Sequence, residues 1–111
     1  MEKKIIEEDI SLRIYIGERE KVKGMPLFEH IVLKAKEQGL AGASVFKGIM
    51  GFGADKKMHT SKILELSENL PILIEIIDTE EKINSFIPFL DGIIGKGFIT
   101  MEKIHAIKYR I

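Results

Sequence analysis

The segment Leu70–Asp78 reads LPILIEIID. Leu73 and Ile77 fall on one of its alternating faces, and Ile72, Ile74 and Ile76 fall on the other. Glu75 alone breaks the pattern. A strand that is apolar on both sides is normally covered on both sides. The rest of a 111-residue chain has to supply that cover, or a second molecule does.

The remaining periodicities show what is available. In Ile10–Gly17 (ISLRIYIG), Ile10, Leu12, Ile14 and Ile16 alternate with Ser11, Arg13 and Tyr15, which is strand spacing. Glu18–Gly24 reads as a charged loop. Pro26–Gln38 reads as a helix, with Pro26 at its first position and Gly39 as its stop. Leu27, Phe28, Ile31, Val32 and Ala35 form its apolar stripe. Gly42–Gly53 begins as a strand and ends in a glycine-rich turn. Ala54–Asn69 is a polar excursion with room for a short hairpin strand.

After Leu70–Asp78 a second helix follows. Asp78 and Glu81 offer a capping-box-like start, with Thr79 as the rival cap. Ile83, Phe86, Ile87, Leu90, Ile93 and Ile94 form its stripe. Pro88 removes an amide from the middle of it, which predicts a kink or a break. Ile99–Tyr109 reads as the last strand.

The order is strand, helix, strand, strand, helix, strand. That is an α+β, ferredoxin-like βαββαβ plan over a single domain, 1–111. Both helices then lie on one face of an antiparallel sheet, and the other face wants another subunit.

Composition narrows the function. Lys plus Arg and Asp plus Glu are 17 each, so the net charge is zero. A general nucleic-acid binder or a polybasic membrane-surface protein needs a basic excess. With 0 cysteines there is no disulfide, thiolate metal site or cysteine nucleophile. Met1–Glu8 (MEKKIIEE) is too short and charged for a signal peptide, and no apolar run approaches the roughly 18 residues of a membrane helix. The expectation is a soluble, cytoplasmic chain. A hydrophobic fraction of 45% in so short a chain points again to a subunit interface.

Two glycine clusters are candidate phosphate cradles: Gly48-Ile-Met-Gly51-Phe52-Gly53 and Gly92-Ile-Ile-Gly95-Lys96-Gly97. Neither has Walker A or GxGxxG spacing, and on glycine content alone tight turns are the first reading. His30, His59 and His105 share no metal-like spacing. His59 lies in the polar excursion, where it is either a ligand contact or a solvated loop residue. No carboxylate pair, GxSxG elbow or nucleophile is marked out, so residue chemistry alone yields no reaction. Lys103, Lys108 and Arg110 either serve an anion or discourage pairing at a sheet edge.

LRIYIGE (Leu12–Glu18), GLAGASVFKGIMGFG (Gly39–Gly53), LPILIEIID and GKGFIT (Gly95–Thr100) resemble the small PII-like family catalogued as domain-of-unknown-function family 190. More distantly the chain is similar to PII nitrogen-regulatory proteins, which are ferredoxin-like trimers with ATP or ADP in clefts between subunits. The resemblance implies nucleotide-binding roles for Ser44, Gly51, Phe52, Gly53, His59, Gly95, Lys96, Gly97, Lys108 and Arg110. Ser44 falls near a threonine position of that strand, and Gly51-Phe52-Gly53 matches the GFG turn. His59-Thr60 matches an HT pair of the mobile loop, and Lys108 and Arg110 match two terminal-strand arginines. Ala54 and Asp55 replace an Arg-Gln pair, and Ile72 stands where the ligand-binding lysine would be. Ala54–Asn69 contains no tyrosine for modification.

The implied protein is a non-enzymatic regulator and a homotrimer with no obligatory cofactor. Its ligand is an adenine nucleotide (ATP, ADP or AMP), with or without magnesium. Loop 54–69 passes the state to an unidentified protein partner, for which a membrane transporter is one candidate. A nucleotide-independent oligomeric module is the alternative, and a weak nucleotide hydrolase ranks last.

Overall fold

A computed structural model describes residues 4–61 and 69–109. Four strands form the main sheet: β1 (Lys4–Gly17), β4 (Ala43–Lys47), β7 (Pro71–Asp78) and β8 (Phe98–Tyr109). Their order is β4-β7-β1-β8, and every neighbouring pair is antiparallel. Two small hairpins are added, β2 (Lys21–Val22) with β3 (Met25–Pro26), and β5 (Met50–Gly51) with β6 (His59–Thr60). Helices α1 (Leu27–Glu37) and α2 (Glu80–Ile93) make the two crossovers. The expected βαββαβ plan is the observed one.

Ile10, Leu12, Ile14 and Ile16 of β1 and Ile72, Ile74 and Ile76 of β7 point to one side and are buried. Leu27, Ile31 and Ala35 of α1 and Ile83, Phe86 and Leu90 of α2 close over them in one continuous core. Truncating one of the fully buried members, such as Leu12, to alanine costs ~2–5 kcal/mol.

The helix ends explain their own positions. Pro26 is the N-cap of α1, one residue before the helix proper, with extended ψ of 132°. Past the end, the Leu40 amide donates to the Ala35 carbonyl (3.0 Å) and that of Gly39 to Lys36 (3.1 Å). This is a Schellman closure. At α2 the cap is Thr79, whose hydroxyl accepts from the Lys82 amide at 3.3 Å. The capping box expected from Asp78 and Glu81 is absent because the Asp78 carboxylate is used elsewhere. It accepts from the amides of Ala41 (2.9 Å) and Thr79 (2.7 Å), tying the start of β4 to the end of β7.

Three expectations need correction. α2 continues as one helix through Pro88, so the break half of that expectation does not occur. Phe86 and Leu90 on either side are fully buried, and that packing outweighs one missing amide. The charged loop 18–24 holds part of the β2–β3 hairpin. β1 begins at Lys4, six residues before the alternating stretch, because Lys4–Asp9 pairs with Ile104–Tyr109. This two-stranded ribbon continues beyond the end of β7, which is matched to β1 only from Ile10 onward. The molecule is correspondingly long, 52 × 28 × 23 Å.

Among the described residues, no helix covers the other face of the sheet. Phe46, Leu73, Tyr15 and Phe98 form a row across all four strands of it. Tyr15 and Phe98 stack with centroids 4.6 Å apart, and Phe98 remains 59% exposed. The next row is Ser44, Glu75, Arg13 and Thr100.

Candidate functional site

The two glycine turns lie at the same end of the sheet. The end of β4, the start of β7, the end of β1 and the start of β8 all meet there, since Lys47 pairs with Ile72, Gly17 with Pro71, and Tyr15 with Phe98. The turns sit on opposite edges, however. Gly48–Gly53 belongs to the β4 edge and Gly95–Gly97 to the β8 edge. Three interstrand steps separate those edges, about 14 Å. One chain therefore presents two candidate half-sites that do not face each other.

The first half-site is built on Pro71. The Gly48 amide donates to the Pro71 carbonyl at 2.7 Å. A Cβ added at Gly48 would come within 2.7 Å of the Pro71 ring, and one at Gly51 within 3.1 Å. Close approach to proline thus accounts for both residues. The chain then turns through Phe52 and Gly53 and returns as β6, where His59 pairs with Gly51. The Lys56 amide donates to the Gly53 carbonyl (2.9 Å), and that of Lys57 to the Asp55 side chain (3.0 Å). His59 Nε2 lies 4.0 Å from Asp55 Oδ2. Gly53 has open space where its Cβ would be, so packing does not explain it.

The second half-site follows α2. The Ile94 amide caps the helix on the Leu90 carbonyl (3.0 Å). Gly97 has φ +134°, and a Cβ there would overlap the Tyr15 carbonyl oxygen. Only glycine fits. Gly95, like Gly53, opens onto free space. Lys96 between them is exposed and makes no ion pair among the described residues.

Other expected site residues lie elsewhere. Ser44 is exposed on the uncovered sheet face, opposite Glu75. Lys108 pairs with Ile5, ten residues along β8 from Phe98, which is about 34 Å away. There its ammonium lies 2.8 Å from Glu7 Oε2 and 2.9 Å from Asp9 Oδ2. The hydrogen bond to Lys108 holds the Glu7 carboxyl below the ordinary carboxylate range. Glu7, then Asp9, raise the Lys108 ammonium in return. Arg110 lies outside the described residues, as does 62–68 within the expected signalling loop.

One cation beside the first turn was not anticipated. Lys47 ends β4 immediately before Gly48 and pairs with Glu18 at 2.7 Å. Glu18 is held there by its amide, which donates to the Leu70 carbonyl at 2.8 Å. A lysine directly preceding the glycine run was the available signal. Among the described residues, no group of three or more His, Asp or Glu side chains is placed to hold a metal ion, and no helix is long and apolar enough to cross a membrane.

Residues 10–106 match the model of family DUF190, described as an uncharacterized ACR. A UPF0166 protein of Aquifex aeolicus (strain VF5) is 43% identical over 98 residues, covering 86% of this chain and 90% of that one. Among solved structures, the fold is similar to CPII, a nitrogen regulatory PII-like protein from Thiomonas intermedia K12, bound to ADP, AMP and bicarbonate. That match has a TM-score of 0.65 at 18% identity, covering 92% of this chain and 91% of the other. The GlnK–ATP complex of B. subtilis gives 0.56 at 12% identity, covering 87% and 82%.

Proposed function

This chain belongs to family DUF190, and from that premise we propose that it is a PII-like regulator binding an adenine nucleotide between the subunits of a homotrimer. The observation that carries this reading is the pair of glycine turns on opposite edges at one end of the sheet. A neighbour meeting the β4 edge with its own β8 edge would bring the two half-sites together. Backbone amides around Gly53 and Gly95 would surround phosphate oxygens, where open space awaits them. Lys96 and Lys47 would supply positive charge, with Phe52 and His59 beside the first turn. The solved relatives that hold ADP, AMP or ATP on this fold support the ligand class.

The trimer reading rests on the bare sheet face. Its aromatic row is costly to leave in water, and a second copy of the chain would cover it. Lys108 enters the nucleotide site in this scheme only if a neighbouring subunit carries it there, and its pairs with Glu7 and Asp9 bind it to the ribbon. The signal would be a population shift in segment 54–69 and its surroundings, read by a cytoplasmic protein partner, and not turnover.

Titration calorimetry with ATP, ADP and AMP, each with and without magnesium, tests the proposal. Saturable heat with one of them supports it, and a tenfold weakening in Gly53→Ala ties it to the turn. No heat at millimolar ligand sinks it. In that case the chain is a nucleotide-independent oligomeric module, the reading favoured by Gly48, Gly51 and Gly97 each having a packing reason to be glycine.

A further inference from the structure

The helix layer carries a second concavity, away from the first glycine turn and bordered by Ile93, where α2 ends before the second. Its volume is about 420 Å³, and α1, α2 and the β2–β3 hairpin line it, leaving one side open to solvent. Helix α1 buries Leu27, Ile31 and Ala35 against the sheet. A separate set on the same helix, His30, Leu33, Lys34 and Glu37, lines the cavity at the spacing of a second stripe. Phe89 and Ile93 of α2 form the facing wall, and Val22 and Lys23 of the hairpin close one side.

The floor is apolar and the rim is cationic. Phe89 packs on the His30 ring at 5.6 Å, and the Lys34 ammonium lies 5.7 Å above the Phe89 ring. Leu33 is left 49% exposed beside this wall. Lys34 has a carboxylate partner, Glu37 at 3.3 Å. Lys23 has no ion pair among the described residues. It sits at φ +51°, beside Gly24 at φ +78°, in a two-residue turn closing Val22 onto Met25. This is a type I′ hairpin, and lysine is a poor choice for its first position. The turn nevertheless places Lys23 in the lining of the cavity.

We propose that this cavity binds a small amphiphilic carboxylate, its hydrocarbon part on Leu33, Phe89 and Ile93 and its carboxylate at Lys23. The volume is in the range of small-ligand sites. An apolar body satisfies the floor, and one negative charge complements Lys23, the lining lysine without an ion pair among the described residues. A cationic amphiphile would set its charge against Lys23 and Lys34. The cavity lies on the opposite side of the molecule from the bare sheet face, so covering that face leaves it open. The inference does not rest on nucleotide binding.

The test is an amide chemical-shift titration of the full chain with octanoate, with 1-octanol as the uncharged control. Saturable shifts confined to Val22, Lys23, Leu33, Phe89 and Ile93 are expected. Lys23→Asn suits a left-handed turn, so the fold is kept. It should weaken octanoate about threefold to fivefold, the scale of one exposed ion pair, and leave octanol unchanged. Leu33→Asp should abolish both. Heats with ADP should be the same in Lys23→Asn as in the parent chain. Shifts spread over the whole surface, or no saturation at millimolar octanoate, overturn the proposal. So does equal affinity for octanoate in Lys23→Asn. If the same amides shift on simple dilution without ligand, a second copy of the chain fills the cavity and the proposal fails.

Discussion

The Lys108 ammonium lies 2.9 Å from the carboxylate of Asp9, a side chain with no exposure to solvent. Lys108 also reaches Glu7 at 2.8 Å, so one cation holds two carboxylates of the opposite strand. Removing it by Lys108→Met leaves Asp9 buried without a countercharge. The expected cost is about 1–3 kcal/mol in urea denaturation, read as a lower midpoint.

That cost is pH-dependent. Glu7 is held below its ordinary value of 4.5, so its contribution is full above about that pH and is lost as pH falls through the lowered value. Lys108 is raised above 10.5, so its contribution is full below about that pH and is lost as pH rises through the raised value. The gap between wild type and Lys108→Met should therefore be widest near neutral pH and close toward both extremes. A gap that stays constant from acid to alkali would mean these pairs contribute no stability.

Gly97 and Gly95 separate two reasons for being glycine. Gly97→Ala meets the Tyr15 carbonyl at φ +134° and should lose about 2–3 kcal/mol, with the strain concentrated where β8 begins. Gly95→Ala enters open space and should stay within about 1 kcal/mol of wild type. If Gly95→Ala keeps its fold but loses nucleotide heat, the second turn is a ligand contact.

Thr79→Ala removes the only side-chain cap of α2 and should cost ~1 kcal/mol. Asp78→Ala should cost more, because two amides lose their acceptor at a nearly buried site. Thermal melts of the two variants, compared with wild type, decide the order.

Phe46 stands on the edge strand β4, 52% exposed and at one end of the aromatic row. If the chain forms the proposed trimer, Phe46→Lys should leave the far-ultraviolet spectrum unchanged while reducing that trimer to monomers in light scattering. An unchanged mass would place the subunit contact on some other surface.

The core was legible because two independent signals coincide in it. Ile10, Leu12, Ile14 and Ile16 alternate along the sequence and are buried together, and Ile72, Ile74 and Ile76 face them in register. Lys4–Asp9 was illegible for the opposite reason. It has no clean apolar period, and what makes it a strand is a partner about a hundred residues later plus one lysine between two acids. The choice between Thr79 and Asp78 as cap depended on the Ala41 amide, a contact across the fold that local spacing does not contain. The glycine turns could be found from sequence, whereas their placement on opposite edges follows only from strand order. The same register separates Lys108 from Gly97, residues that a motif comparison sets side by side.

In the proposed trimer, two half-sites on opposite edges would also make each cleft the joint property of two chains. Let one chain be defective only at the β4-edge turn and another only at the β8-edge turn. Neither would bind nucleotide alone. Mixed in one ring, they would pair a sound β4 edge with a sound β8 edge at a single cleft, and binding would reappear in the mixture. Mutations in this protein should therefore complement one another across subunits, a genetic behaviour that follows from the order of four strands.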